Sequence, residues 1–426
     1  MSQSLDVVVI GAGAAGLAAG ARLHAAGLDV AVLEAAERIG GRAFTDTTSF
    51  SGIPWDQGCH WLHSASINTL RAAADALGRS YAVRGSRQAR ATHLGTRWAD
   101  EAERLAVWNA IEVGYHDVKA AGEAGRDVAA SAVMDTASPW YRMTRHWLAL
   151  MSAAEPERLS TLDYVAYEDT GENYPVEAGY GALIAALARH TAPDLPITLG
   201  CPVRKLDWAG PGVVLETAKG RVEGKTAIVA VPTTVIAKGA LAFAPALPAE
   251  LAEAFAALPL GCAEKVAFQF DRDVFGLPAV SYADTIDLAD PSRAPINFTL
   301  NPFGHPMAIG QLAGDNAARL VKEGPAAMVD FGLAALKDAF GADIARHVVQ
   351  TATTAWIADP LIGGAYSCAL PGLAHMRARL GQTLDDKVLF AGEAASPHFY
   401  STAHGAHLTG LAAADAVLAR LGRSAA

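Results

Sequence analysis

The sequence predicts an α/β protein, in which a domain built on a mostly parallel sheet is interwoven with a mixed α+β domain. First, a β-branched run from Val7 to Ile10 is followed by glycines, an Ala- and Leu-rich stretch and a second strand, Val30 to Leu33; this is the βαβ order of doubly wound folds. Second, 426 residues are too many for one ordinary core. Third, several β-runs between about Val266 and Leu312 are separated by Pro and Gly, which is typical of an antiparallel sheet.

The glycines after the first strand have the spacing of a dinucleotide-binding turn. Gly11 allows the tight turn, Gly13 lets the backbone approach a pyrophosphate, and Gly16 lets the helix pack on the strand. The first helical turn, which contains Ala15, offers free N–H groups and partial positive charge to phosphates. Glu34 ends the second strand and is expected to accept hydrogen bonds from ribose hydroxyls. These features together predict a Rossmann-like domain.

Composition narrows the classes of partner. A net charge of −10 argues against nucleic acid and anionic membranes. The four cysteines form no C-x-x-C pair, so neither a disulfide framework nor a metal site is indicated. A first strand at about Leu5 leaves no room for a signal peptide, and no apolar run approaches the ~20 residues that span a bilayer. We expect a cytoplasmic enzyme without a membrane anchor, and the oligomeric state stays open.

The segment after Glu34 indicates which dinucleotide binds. Residues 37–42, ERIGGR, end in Gly41 and Arg42 and resemble the GGR extension of FAD-binding amine oxidases, in which the arginine contacts the FAD pyrophosphate. NAD-dependent Rossmann dehydrogenases do not usually carry that extension. The resemblance therefore implies FAD, and the alternative is that Arg42 is only a solvated surface charge.

A stretch rich in histidine and tryptophan follows. Residues 56–63, DQGCHWLH, resemble the D-x-G-x-x-W-[IV]-H stretch of polyamine oxidases. The resemblance implies that the backbone around His60 and Trp61 touches the isoalloxazine ring and that His63 faces the substrate. The alternative for His63 is a purely structural, hydrogen-bonded histidine.

Further motifs extend the resemblance to the flavin-containing amine oxidase family, which includes monoamine oxidases, polyamine oxidases and the lysine-specific histone demethylase. Lys265 stands in LGCAEKV, where the family lysine holds a water at flavin N5. Trp356 and Tyr366 stand in WIADPLIGGAYS, and Tyr366 corresponds to one wall of an aromatic cage in front of the flavin. Val203, in PVRKL, corresponds to a valine whose backbone pairs with adenine.

The C-terminal part carries two more family motifs. Gly392 and Glu393 end the sequence VLFAGE, and Glu393 is expected near the ribityl chain or pyrophosphate. Thr402 is a good N-cap, and the helix that begins at Ala403 would direct its positive end at the N1–C2 edge of the flavin. His404 is expected to face solvent rather than to act as a ligand or base.

Two positions depart from the monoamine oxidase pattern. Ala365 stands where those enzymes carry the flavin-linked cysteine, so the FAD is expected to be non-covalent. Thr402 stands where they carry the second cage tyrosine, and either Phe399 or Tyr400 is expected to supply another wall. The site is therefore expected to be closer to that of polyamine oxidases and the demethylase.

The motifs divide the chain into two interwoven domains. We predict an FAD-binding domain of residues 1–75, 178–262 and 381–426, and a substrate domain of residues 76–177 and 263–380. The chain is expected to be helical from Asn68 to about Arg158, largely within the substrate domain. Within the substrate domain, Glu168, Asp169 and Glu172 are candidates for holding a distal ammonium group. The alternative is an ordinary polar loop.

The resemblance implies an oxidoreductase that oxidises a C–N bond of a primary or secondary amine, including a polyamine, to an imine. Molecular oxygen or another acceptor would then reoxidise the flavin, and O₂ would yield peroxide. Two alternatives remain: an amino-acid oxidase or isoprenoid desaturase of the same superfamily, and a flavoprotein without catalysis.

We predict that the purified protein is yellow and that acid precipitation releases intact FAD into the supernatant, because Ala365 offers no sulfur for a covalent link. The flavin is identified by chromatography. Colour retained in the pellet would contradict non-covalent binding, and release of NAD instead would contradict the choice of cofactor.

Overall fold

The computed structural model describes residues 5–83 and 90–423. Its strands, in chain order, are β1 Leu5–Ile10, β2 Val30–Leu33, β3 Thr45–Asp46, β4 Trp55–Asp56, β5 Trp61–His63, β6 Ala91–His93, β7 Asn173–Pro175, β8 Ile197–Thr198, β9 Val203–Asp207, β10 Val213–Thr217, β11 Gly220–Val229, β12 Ala242–Ala244, β13 Ala263–Phe270, β14 Ser281–Thr285, β15 Ile296–Leu300, β16 Met307–Ala313, β17 Val348–Thr353 and β18 Val388–Phe390.

Helices cover the sheets and connect them. They are α1 Ala14–Ala25, α2 Thr69–Ala76, α3 Glu101–Glu123, α4 Tyr141–Ser152, α5 Thr161–Ala166, α6 Tyr180–Thr191, α7 Thr233–Ala237, α8 Ala249–Ala257, α9 Gly314–Glu323, α10 Pro325–Phe340 and α11 Ala403–Arg420. Within the described residues, no helix combines the length and the apolar character needed to cross a membrane.

The first sheet has eight strands in the order β12-β9-β10-β11-β1-β2-β8, and β18 pairs with the end of β11. The strands β11, β1, β2, β8 and β18 run parallel. Parallel strands are buried on both faces and read as continuous apolar runs, and Val7, Val8 and Val9 are accordingly fully buried. This is the predicted α/β arrangement, and the carboxyl ends of β1 and β2 present the glycine turn and Glu34 at one edge.

The second sheet has six strands in the order β17-β13-β16-β15-β14-β6. Its pairs are antiparallel, as predicted, except that β6 runs parallel to β14. Alternate residues of a strand face opposite sides. Val266 and Phe268 therefore belong to an apolar core shared with α9 and α10, whereas Lys265 faces the other side.

The side of the second sheet that carries Lys265 is polar along one row. Lys265 pairs in register with Gln311, Gln311 with Asn297, and Asn297 with Asp284. Directly opposed residues of an antiparallel pair project from the same face. Four polar side chains thus cross the sheet in line, and the candidate active site lies at the Lys265 end of this row.

The structure corrects two details of the sequence interpretation. The sequence predicts separate strands at Arg221–Val222 and in the apolar run from Ala227 to Pro232, but β11 is continuous from Gly220 to Val229 and pairs first with β10 and then with β1. The segment predicted as helical from Asn68 to Arg158 also contains β6, which pairs with β14 almost two hundred residues later. Strand pairing at such separation leaves no local signal. The strands of the first sheet lie within the segments predicted for the FAD-binding domain, and the strands of the second sheet lie within those predicted for the substrate domain. The exact domain boundaries stay a prediction.

Candidate active site

The turn after β1 forms a cradle with space above it. A Cβ atom added at Gly16 would lie 1.8 Å from the carbonyl oxygen of Gly11, and one added at Gly11 would lie 2.7 Å from that of Ala230. A Cβ at Gly13 would meet nothing within 4 Å. Two glycines are therefore required by close packing, and the third borders open space where a pyrophosphate fits.

The start of α1 is suited to an anion. No described side chain caps this helix, and no acidic residue lies in its first turn, where Ala15 is buried. The first N–H groups of a helix lack intrahelical acceptors and carry partial positive charge. Gly41 closes the turn from the other side, because a Cβ there would lie 3.4 Å from the Cα of Gly13. This geometry fits the phosphates of FAD.

Glu34 is held at the end of β2. One carboxylate oxygen accepts a hydrogen bond from the N–H of Ala12 at 2.6 Å, and the other accepts from Ala36 at 2.8 Å. Each oxygen keeps a further lone pair for a ribose hydroxyl. Glu34 thus has the chemistry predicted for it, beside the glycine turn.

The C-terminal helix approaches α1 closely. A Cβ at Gly410 would lie 2.1 Å from the carbonyl oxygen of Ala15, so only glycine permits this packing. Thr402 is the N-cap of α11, as predicted: its Oγ1 accepts a hydrogen bond from the N–H of Gly405 at 3.0 Å. The positive end of α11, which begins at Ala403, therefore lies beside the same cradle as the start of α1.

Arg42 and Glu393, both predicted to contact FAD, bind each other. Arg42 Nη1 donates to Glu393 Oε1 at 2.8 Å and to the carbonyl oxygen of Ala365 at 2.7 Å. Burial opposes ionisation of Glu393, but Arg42 and the hydroxyl of Ser367 stabilise the carboxylate and hold its pKa below the ordinary value. The alternative of Arg42 as a solvated surface charge is therefore wrong. Next to this pair, a Cβ at Gly392 would meet nothing within 4 Å.

Lys265 is anchored to the segment that precedes His60. Its Nζ donates to the carbonyl oxygens of Asp56 and Gly58, both at 2.7 Å. Burial lowers the pKa of Lys265 to about 8, and the carboxylate of Asp56 opposes this shift. An ammonium has three N–H donors, so one remains for a water or another acceptor.

Trp356 and Val203 occupy supporting positions. Trp356 is buried, and its Nε1 donates to the carbonyl oxygen of Gln57 at 3.0 Å, on the same segment that Lys265 holds. Val203 begins β9 and pairs with Thr217. Val203 is half-buried in the first sheet, and its backbone contact with adenine stays a prediction.

His60 and His63 are neutral residues on either side of Trp61. Burial lowers the pKa of His60, and the hydrogen bond from its Nδ1 to Asp56 at 3.2 Å opposes this. Burial also lowers the pKa of His63, against the opposing effects of Asn173 and Asp169. The Trp61 ring is 4.7 Å from that of His60 and 6.0 Å from that of His63.

The hydrogen bonds of Asn173 define the tautomer of His63. Asn173 Nδ2 donates to the carbonyl oxygen of Gly171, so its Oδ1 accepts from His63 Nδ1 at 2.5 Å. The proton of neutral His63 therefore lies on Nδ1, which leaves the lone pair on Nε2. His63 has a structural partner on one side and a hydrogen-bond acceptor on the other.

Tyr366 stays a predicted wall of the site, and Tyr167, which the sequence interpretation did not single out, lies near it. The Tyr366 hydroxyl donates to the carbonyl oxygen of Leu150 on α4, and burial raises its pKa. Tyr167 follows α5, and burial and then the nearby groups Asp169 and Tyr366 raise its pKa. Tyr167 and Tyr366 are thus close enough to interact, although 199 residues separate them in the sequence.

The two residues expected to supply the second wall play other parts. Tyr400 is buried, its hydroxyl donates to the carbonyl oxygen of Asp163, and its ring lies 5.4 Å from that of Tyr167 in an edge-to-face contact. Phe399 packs on His404 with 4.9 Å between ring centres. Tyr400 therefore supports Tyr167 from behind.

His404 was expected to face solvent, and this was wrong. The residue is 1% exposed, and Asn68 Nδ2 donates to its Nδ1 at 3.2 Å. Burial lowers its pKa to about 3. The first turn of α11 is covered by α2 and Phe399, and this long-range packing is invisible in a sequence window.

The three acidic candidates separate in the structure. Glu168 is exposed and lies 3.9 Å from His398, and Glu172 accepts hydrogen bonds from Ser66 and Tyr174. Asp169 is exposed too, but it acts electrostatically on both His63 and Tyr167. Of the three, Asp169 is therefore the acid that influences His63 and Tyr167, whereas Glu168 lies against His398 and Glu172 is bonded to Ser66 and Tyr174.

With this geometry in view, comparison with known proteins identifies the family. A family model described as flavin containing amine oxidoreductase matches residues 14–98 and 123–418. The chain belongs to this family. It is therefore a flavin-dependent amine oxidoreductase, and its predicted cofactor, FAD, agrees with this membership.

Individual relatives include several amine oxidases. Polyamine oxidase 4 of Oryza sativa subsp. japonica is 30% identical over 442 residues, covering 96% of this chain and 88% of the relative. Lysine-specific histone demethylase 2 of Homo sapiens is 27% identical over 446 residues, covering 97% of this chain and 53% of the relative. This flavin amine oxidase thus spans about half the length of that demethylase.

Solved structures confirm the fold. Cyclohexylamine oxidase from Brevibacterium oxydans IH-35A superposes with a TM-score of 0.81 at 22% identity, covering 99% of this chain and all of the other. A putrescine oxidase with redesigned cofactor binding superposes with a TM-score of 0.78 at 20% identity, covering 98% of this chain and 99% of the other.

The glycine turn yields a paired prediction. Gly16→Ala drives a Cβ to 1.8 Å from a backbone oxygen, so we expect the apoprotein to lose on the order of 2–4 kcal/mol of unfolding free energy. Gly13→Ala meets no protein atom and should change the free energy of unfolding by less than about 1 kcal/mol. It should nevertheless weaken FAD binding. Urea unfolding and FAD titration measure both; unchanged FAD affinity of Gly13→Ala would refute the cradle.

Lys265 yields a pH-dependent prediction. Because burial lowers its pKa to about 8, its positive charge is present below that pH and lost above it. Reoxidation of the reduced flavin by O₂, followed by stopped flow without amine, should slow as pH rises through about 8. Lys265→Met should be slower by ~100-fold at pH 7, which corresponds to ~2.7 kcal/mol, and should show no such transition.

Lys387 offers a matched control, because its Nζ also donates to two backbone carbonyls, those of Trp208 and Gly210, at 2.7 and 2.8 Å. It lies away from the cradle. Lys387→Met should keep both the reoxidation rate and its pH transition. A Lys265→Met protein within about threefold of the parent would mean that Lys265 is structural.

Proposed function

We propose that this flavin amine oxidase acts on an extended amine that carries a second cationic nitrogen, such as a di- or polyamine, and that O₂ reoxidises its flavin to give peroxide. The observation that carries the proposal is the exposed carboxylate of Asp169, which stands two residues after Tyr167 and accepts a hydrogen bond from the N–H of Gly171, on the loop that leads to Asn173, the partner of His63. A carboxylate at the rim of a neutral aromatic site suits a ligand with charge at one end only.

The interior of the site favours a neutral reacting nitrogen. Bound FAD supplies an acceptor for the hydride equivalent that leaves the α-carbon of the amine. Tyr366 and Tyr167 orient the substrate between aromatic faces, and the lone pair on His63 Nε2 accepts a hydrogen bond from the amine N–H. An apolar, buried site disfavours an ammonium and lowers its pKa, so the amine needs no strong protein base.

Lys265 is proposed to act on the flavin side. Two of its N–H groups donate to the carbonyl oxygens of Asp56 and Gly58. The third would donate to a water that lies next to the bound flavin. A half-buried ammonium held so specifically supports catalysis over a non-catalytic flavoprotein, since withdrawing a cation from water without a use for it costs stability. The remaining residues predicted to bind the cofactor, of which Gly11 is the first in the chain and Ala403 the last, hold and orient the FAD.

The relatives support an amine as the class of substrate, and they differ in which amine they oxidise. A polyamine oxidase and a histone demethylase are similar in sequence to 96% and 97% of this chain, and putrescine oxidase and cyclohexylamine oxidase share its architecture. The rim carboxylate favours the polyamine side of this range. A cytoplasmic location remains part of the proposal.

The substrate proposal predicts a ranking. We expect kcat/KM for putrescine or spermidine to exceed that for benzylamine by about tenfold, since carboxylate and cation–π contacts contribute ~1 kcal/mol each. Asp169→Asn should remove this preference, chiefly through a higher KM for the diamine. Peroxide release and flavin reduction under nitrogen measure it.

Glu168→Gln is the matched control, because Glu168 is the neighbouring acid but lies against His398. It should keep the preference. If benzylamine is the better substrate of the parent, or if Asp169→Asn keeps the preference for diamines, the polyamine proposal is wrong and only amine oxidation stands.

A further inference from the structure

A buried ion pair lies behind the aromatic walls, in a place that no sequence motif indicated. Arg377 stands on a short 3₁₀ helix, Ala374–Gly381, and Asp163 stands on α5. Arg377 Nε donates to Asp163 Oδ1 at 2.7 Å and Nη2 donates to Oδ2 at 2.8 Å. The two residues are 4% and 2% exposed. This is a fully buried, bidentate pair.

The pair forms hydrogen bonds with the residues that follow Tyr366 in the chain. Arg377 Nη1 donates to Ser367 Oγ at 3.1 Å, and Asp163 Oδ2 accepts from the N–H of Ala369 at 2.8 Å. Ser367 Oγ in turn donates to Glu393 Oε2 at 2.7 Å. The backbone direction at Tyr366 is thus determined by bonds one and three residues further along the chain.

The same pair supports Tyr167 through Tyr400. The guanidinium carbon of Arg377 lies 3.8 Å from the centre of the Tyr400 ring, and the Tyr400 hydroxyl donates to the carbonyl oxygen of Asp163. The Tyr400 ring then meets Tyr167 edge to face, at 5.4 Å and 68°. Cation–π and hydrogen-bond contacts therefore hold Tyr400 on one side while Tyr167 rests on the other.

Stability alone is a poor reason for such a pair. Removing two charges from water is expensive, and well-packed apolar residues of similar volume often stabilise a fold as well or better. What an apolar residue lacks is direction, whereas the planar guanidinium fork fixes several partners at defined angles. Here the partners lead to both tyrosines that line the proposed amine site.

We propose that Arg377 and Asp163 are positioning residues that hold both aromatic walls of the amine site, Tyr366 through Ser367 and Tyr167 through Tyr400. This inference rests on the proposed function, in which the amine docks between those two rings. The pair touches neither substrate nor flavin, and it acts by keeping the gap between the walls constant.

The test compares Arg377→Met and Arg377→Lys holoenzymes with the parent, with each rate expressed per bound flavin. We expect Arg377→Met to lower the rate of flavin reduction at saturating amine by at least tenfold, and reoxidation by O₂ to stay within about threefold. Arg377→Lys keeps the charge but loses the fork, and it should restore only part of the reduction rate. A purely structural role would instead lower the melting temperature and FAD content and leave the rates per flavin unchanged.

Two additions keep the outcome decisive. Tyr400→Leu removes only the support of Tyr167; if Arg377→Met does not fold, this variant should raise the KM for amines more than it lowers kcat. Arg22→Met, which breaks the partly exposed pair with Asp415 between α1 and α11, is the control for losing an arginine ion pair and should leave both half-reactions unchanged.

Crystal structures of the variants separate this inference from the proposed function. Displaced Tyr366 and Tyr167 rings in Arg377→Met support the inference even if no amine reduces the parent flavin, a result that would overturn the proposed function alone. Unmoved rings together with unchanged reduction per flavin would overturn the inference while amine oxidation stands. In Tyr400→Leu, an unmoved Tyr167 ring together with an unchanged KM for amines would likewise overturn the inference that Tyr400 supports Tyr167.

Discussion

The buried carboxylate of Glu393 is the constraint on which the rest of the site depends. It accepts hydrogen bonds from Arg42, from the N–H and Oγ of Ser367, and from the N–H of Ser401, at 2.7 to 3.2 Å. An isolated buried carboxylate would cost several kcal/mol, so each of these donors must stay in place for the fold to be stable. One side chain thereby joins the cofactor turn, the Tyr366 segment and the start of α11.

Glu393 and the Arg377–Asp163 pair share Ser367, so these buried polar groups form one connected network. In a low-dielectric interior, such networks are rigid when every member is satisfied and costly when one is lost. The network runs behind the aromatic walls and beside the cofactor cradle. The network therefore links Arg42, Ser367 and Tyr400 through their contacts with Glu393 and Arg377.

Both faces of the second sheet pack apolar residues, and the face that carries Lys265 also carries the polar row. One face packs Val266, Phe268 and Phe298 against α9 and α10, which supplies the hydrophobic stabilisation of this part of the chain. The other face carries Lys265 at the end of a polar row, next to the segment from Asp56 to Gly58. Strand alternation places these two sets of side chains on opposite faces of the sheet. A substitution at Lys265 therefore need not disturb the apolar core that contains Val266 and Phe268.

The sequence by itself determined the features that are encoded in short windows. The spacing of Gly11, Gly13 and Gly16, the acid at Glu34 and the N-cap at Thr402 each report a local backbone conformation or contact, and each lies where it was predicted. The antiparallel rhythm of β13 to β16 was visible for the same reason.

Only the tertiary structure decided which distant groups meet. Arg42 and Glu393 are 351 residues apart, and Asp163 and Arg377 are 214 apart. Burial decided the neutral state of His404, and tertiary packing brought Tyr167 near Tyr366. Such contacts are chosen by packing and by the need to satisfy buried charges, and no pattern within a sequence window records them.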